Sequence, residues 1–164
     1  QMPQSLRKDK IFEGNLKMAG IFEDEKWYIA ELVMECKIEE EPRNVVHVNI
    51  TLVRADSPQS AFEKAEQLGK ESETSYLNHK NQQATWYYRG LRDLNVIHDD
   101  LEHGAELMFE EEIGISEDEV QDMLTLKSEL KVFRKRKPRD SSEPNYGCKE
   151  ILEEVKKMIN TKED

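Results

Sequence analysis

Trp27-Tyr28-Ile29-Ala30-Glu31-Leu32-Val33-Met34-Glu35-Cys36 is the stretch on which the fold turns. Tyr28, Ala30, Leu32, Met34 and Cys36 alternate with Ile29, Glu31, Val33 and Glu35. A period of two is the signature of a strand, whose successive side chains point to opposite faces. After a charged turn at 39–43, where Pro42 can stop a ladder, Val46, Val48, Ile50 and Leu52 alternate with His47, Asn49 and Thr51. So short a connection predicts an antiparallel hairpin, because parallel pairing needs a crossover of roughly a dozen residues or more.

Asp56-Ser57-Pro58 then marks a helix start. Ser57 can accept from an orphan amide, and Pro58 at the first helical position has no amide to leave unpaired. Ala61, Phe62, Ala65, Leu68 and Gly69 recur at three- and four-residue steps, so a helix over about 58–72 lays one stripe against the sheet. The polar stretch 73–83 reads as a helix end and a loop. Trp86, Tyr87, Tyr88, Leu91, Leu94, Val96 and Ile97 supply a third strand, with a bulge or bend at Gly90. His103-Gly104 closes a turn, and Ala105, Leu107 and Phe109 alternating with Glu106, Met108 and Glu110 predict a fourth strand. Ser116 and Glu119 fit a capping box opening a second helix. Near the end, Ile151, Leu152, Val155, Met158 and Ile159 form one stripe of an amphipathic helix.

The expected architecture is α+β: a mainly antiparallel four-stranded sheet in the order β-β-α-β-β with one helix on a face, a second helix after the fourth strand and a C-terminal amphipathic helix. Its expected divisions are an N-terminal arm at 1–26, a core at 27–133, a basic and polar linker at 134–147 and the terminal helix at 148–164. One helix covers one sheet face only, so the other face calls for the second helix or for another copy of the chain.

Three motifs carry a resemblance. They are Trp27-Tyr28-x-Ala30-x-Leu32, Val53-Arg54-Ala55-Asp56-Ser57-Pro58 leading into Ala61 and Ala65, and Gly104-x-Glu106. Together they resemble a family of small bacterial proteins catalogued as a domain of unknown function, over about residues 27–133. The resemblance implies the β-β-α-β-β domain and no activity.

Charge narrows the partners. The chain has 164 residues, 36% of them charged, with a formal net charge of −11. Residues 98–122 hold eleven Asp and Glu and no Lys or Arg. Acid in such excess argues against binding to phosphates and favours a partner with a basic surface. The exception is the basic run at 131–139 (Lys131, Arg134, Lys135, Arg136, Lys137, Arg139), which could meet nucleic acid, an anionic membrane surface or, as the favoured reading, the chain's own acidic block. Two widely separated cysteines, Cys36 and Cys148, do not make the dense framework of a small secreted domain. No apolar run approaches the ~20 residues that cross a bilayer, and the first residues lack an apolar signal region. A cytoplasmic protein with no membrane contact is the expectation.

Chemistry is sparsely signalled. His98, Asp99, Asp100, Glu102 and His103 crowd oxygen and imidazole donors into six residues, a set that could hold a cation. The two histidines are five apart rather than four, and no calcium-loop pattern is present. Glu110 and Glu112 could share a strand face, while Glu111 would point away. Cys36 falls on the core side of its strand, where a thiol is usually an inert small hydrophobe. There is no nucleophile elbow, phosphate loop or cofactor motif. The sequence therefore points to a non-catalytic protein that offers Asp99, Asp100, Glu102, Glu106, Glu110 and Glu112 to a basic partner. A metal-assisted hydrolase or nuclease built on the 98–103 cluster is the alternative.

Overall fold

The computed structural model describes residues 25–135 and 140–160. Most of the arm, residues 1–24, and the basic residues Arg136, Lys137 and Arg139 lie outside the described residues. Strands β1 (Lys26–Ile38) and β2 (Glu41–Ala55), helix α1 (Pro58–Glu71), and strands β3 (Thr74–Leu77) and β4 (Gln83–Val96) follow one another. The sheet runs β2-β1-β4-β3, and every pairing is antiparallel. The expected β-β-α-β-β order and α+β class hold.

Two strand assignments are corrected. The fourth strand is not 105–110, which has no strand structure, but β3, inside the stretch read as a helix end and loop. The alternation at 105–110 is matched by no pairing, and the segment lies outside the sheet. β3 has little apolar patterning of its own. Tyr76 is its one bulky inward residue, and its turn is built by Asn78, whose Oδ1 accepts from the amides of Lys80 and Gln82. Pro42 does not stop the ladder either, since it lies within β2. An edge strand tolerates the missing donor.

Helix α1 begins as its sequence dictates, with Ser57 Oγ accepting from the Ser60 amide at 3.2 Å and Pro58 in the first turn. Ala61, Ala65 and Gly69 are buried at four-residue steps and let the helix backbone come close to the sheet. They pack over Tyr28, Ala30, Leu32 and Val53, with Tyr88, Leu91 and Leu94 alongside. A Cβ at Gly69 would stand 2.4 Å from the Tyr88 ring, so only glycine fits there. Tyr88 in turn donates its hydroxyl to Glu66 Oε1 at 2.6 Å. Burial, and then the Glu66 carboxylate, push that phenol well above its ordinary pKa.

The far end of the same face is closed by residues 144–148, in the stretch expected to be a linker. Tyr146 packs with Cys36, Ile38, Val45, Tyr76, Ala84 and Trp86, edge-on to both Trp86 and His47. Four hydrogen bonds fasten the strap: Arg43 Nη2 to Ser142 O, Tyr76 hydroxyl to Tyr146 O, Asn78 Nδ2 to Asn145 O and Lys149 Nζ to Asn81 Oδ1. Cys36 lies wholly buried beneath it, and burial raises its thiol pKa, so it stays protonated and inert as its strand position implies.

Helix α2 (Glu117–Asp122) has the expected capping box, with Ser116 Oγ accepting from the Glu119 amide and Glu119 from the Ser116 amide. It buries no residue, so it does not serve as a cover for the sheet. Helix α3 (Lys149–Asn160) follows the strap, with Leu152 half-buried and Ile151, Val155 and Met158 exposed. No helix among the described residues is long and apolar enough to cross a membrane.

Candidate functional site

The face of the sheet opposite α1 carries Ile29, Glu31, Val33 and Glu35 from β1. Two carboxylates in mid-strand need partners, and β4 supplies them through irregularities in its pairing with β1. The register shifts between Glu31 and Leu32 and again between Val33 and Met34, leaving Arg92 and Arg89 as the extra residues. Each bulge re-aims a side chain. Arg92 Nε donates to Glu31 Oε2, and Arg89 Nε stands 3.4 Å from Glu35 Oε2. Glu31 is only 5% exposed, so the guanidinium is what compensates its burial. Glu35 is held below the usual carboxylate range, first by the Asn44 amide and then by Lys37 and Arg89. Arg89 and Arg92 are thus committed to ion pairs. Of the aromatic run, Trp86 packs in the core while Tyr87 stands exposed.

Past β4 the chain folds back across this face. Ile97 is buried, its amide donating to Trp27 O, and Asp99 Oδ2 then accepts the Glu106 amide at 3.1 Å, closing the loop between them. Gly104, at φ 88°, makes the turn predicted for His103-Gly104. Between the returning segment and the sheet lies a cleft of about 570 Å³, lined on the sheet side by Glu31, Arg92, Asp93 and Asn95 and on the segment side by His98, Asp99, Glu106 and residues 107–110. Five carboxylates (Glu31, Asp93, Asp99, Glu106, Glu110) face one guanidinium there. With Arg92 bound to Glu31, the remaining charge is negative. Asp93 is lowered further by the Asn95 amide and the Leu94 backbone, so it is ionised.

The predicted site residues divide. Asp99, Glu106 and Glu110 line the cleft together with His98, whereas Asp100, Glu102, His103 and Glu112 are exposed outside its lining. The metal candidates do not come together: among the described residues no three His, Cys, Asp or Glu side chains could hold a metal ion. Apolar groups accompany the acids, for Phe109 is 72% and Ile113 86% exposed. Sequence reasoning missed Glu31, Arg92, Asp93 and Asn95. The bulge expected at Gly90 was the available signal, since a bulge re-aims nearby side chains.

A second cleft, about 750 Å³, lies between the β3–β4 turn and the start of α3, lined by His79, Lys80, Asp140, Cys148 and Leu152 among others. The His79 ring lies so close to Gly147 that a Cβ there would meet Nε2 at 2.9 Å. Cys148, half-exposed at the head of α3, forms an isolated bridge with Asn78 just past β3. Nothing in the local pattern around His79 signals its place beside this junction.

A single helix packed on a four-stranded antiparallel sheet, with an anionic cleft on the reverse face, defines a small α+β domain. The chain belongs to the family described as Domain of unknown function (DUF4288), whose model matches residues 27–109. The match takes in the sheet, α1 and all the cleft lining except Glu110, and stops short of α2, the strap and α3. No curated protein and no solved structure matches the chain.

Proposed function

We propose that the protein is a non-catalytic binding module that takes a basic, partly apolar segment of another protein along the cleft between β4 and residues 98–110. What supports this most is the cleft's lining, in which five carboxylates oppose one already paired arginine. A guanidinium or ammonium group entering it meets uncompensated acid on both walls. Exposed Leu107, Met108 and Phe109 beside those acids offer apolar contact to the rest of the partner. Asp100, Glu102 and Glu112, outside the lining, act at longer range by steering a cationic partner, an effect that falls with salt.

An arginine-rich synthetic peptide followed by fluorescence anisotropy tests the reading. Binding should weaken steeply as salt rises and disappear in the combined Asp99→Asn, Glu106→Gln, Glu110→Gln variant. Unchanged affinity in that variant would refute it. Recovery of a stoichiometric, tightly held ion with protein purified without chelator would instead favour metal-assisted hydrolysis at His98, Asp99, Asp100, Glu102 and His103.

A further inference from the structure

β2 is an edge strand of 15 residues, paired on one side by β1 and, among the described residues, on the other side by none. A free edge presents a row of unpaired N–H and C=O groups, and proteins usually blunt it with charge, most often lysine. Here the reverse holds. Across residues 44–53 there is no Asp, Glu, Lys or Arg, in a chain in which 36% of residues are charged. On the face away from α1, Val46, Ile50 and Leu52 stand exposed, Ile50 by 61%.

From this edge we infer that two copies of the chain associate, β2 against β2 and antiparallel, about a two-fold axis normal to the sheet. Such an axis keeps the outer face outward, so Val46, Val48, Ile50 and Leu52 of both copies join in one band. About ten outward N–H···O bonds form over a ten-residue antiparallel run, the number an ordinary protein interface carries. Charge at the ends of the run suits the arrangement. One end carries Glu41 and Arg43, paired at 2.8 Å, and the other Arg54 and Glu25, paired at 2.7 Å. The two-fold axis lays one neutral pair beside the other, so no uncompensated like charges meet. Closure is also favoured over open-ended growth. The opposite edge is broken: β3 covers only residues 83–86 of β4, Asn78 just beyond it is bridged to Cys148, and the rest of β4 is interrupted by the bulges at Arg89 and Arg92.

The inference is independent of the acidic cleft, which is lined by no β2 residue. Its test is sedimentation of the full chain over a range of concentrations, at high salt so that the acidic cleft contributes little. The expected result is a mass rising from 19.3 kDa to about twice that and then levelling. Val48→Lys and Ile50→Lys, tested separately, should each raise the dimer Kd by roughly tenfold or more, because the two-fold axis places both new charges in the same band. Circular dichroism and thermal melts of the variants show that each still folds. A mass fixed at one chain, a dimer indifferent to both lysines, or a mass that climbs without levelling would each overturn the inference. So would β2 amides equally protected from hydrogen exchange at every concentration, since that places a segment of the same chain on the edge.

Discussion

The two faces of this sheet are made by alternate residues of the same strands and have opposite characters. Under α1 and the Tyr146 strap, side chains are small or closely fitted: Ala30, Cys36, Ala61, Ala65 and Ala84 are wholly buried. On the reverse face, mid-strand glutamates pair with bulge arginines, an acidic segment crosses over, and apolar side chains of β2 remain in water. Most of the buried apolar side chains belong to the first face, although Ile29 and Glu31 are buried on the second. The second carries charge and exposed apolar area, and the proposed binding lies there.

If the faces differ in this way, substitutions under α1 should reduce stability and those of the exposed β2 side chains on the reverse side should leave it nearly intact. Leu32→Ala empties a buried position and should cost about 3 kcal/mol in denaturant unfolding. Gly69→Ala drives a methyl into the Tyr88 ring and should cost about 2 kcal/mol, even though alanine is the better helix former. Tyr88→Phe removes only the bond to Glu66, which water can replace, and should cost about 1 kcal/mol. Ile50→Ala on the open face should change unfolding by no more than about 0.5 kcal/mol. A loss at Ile50 as large as that at Leu32 would mean that the reverse face is also core.

The smallest expected effect concerns pH. Arg43 pulls the Glu41 carboxyl down from 4.5 to about 2. A depressed acid contributes stability above its unfolded pKa and loses it as pH falls through the folded value, so the contribution should fade between about pH 4.5 and 2. Arg43 also holds Ser142, so loosening of the strap, read from Tyr146 and Trp86 fluorescence, should follow the same window. Arg43→Ala should remove that acid dependence.

Much of the covered face was legible in the sequence because its signals are local. Period-two runs fall within β1 and β2, Ser57-Pro58 starts α1 where expected, and the Ser116–Glu119 box opens α2. β3 was not legible, since its four residues hold their place through β4 and through Tyr146, seventy positions from Tyr76. The alternation at 105–110 misled because a pattern alone does not make a strand: the segment is tied back by Asp99 on the Glu106 amide, lines the cleft and pairs with no edge. In the cleft, local charge identified Asp99, Glu106 and Glu110. Glu31, Arg92 and Asp93 reach it through strand pairing, which leaves no mark on nearby composition, and through a bulge whose one local sign is Gly90.

The most direct test of an anionic recognition face is to map where a cationic ligand binds. Backbone amide NMR shifts recorded during titration with an arginine-rich peptide at low salt should move at residues 92–110 and at Glu31, and the changes should vanish at high salt. Shifts confined to the α1 face or to the cleft beside His79 and Cys148, or shifts on the acidic face that persist at high salt, would contradict the account.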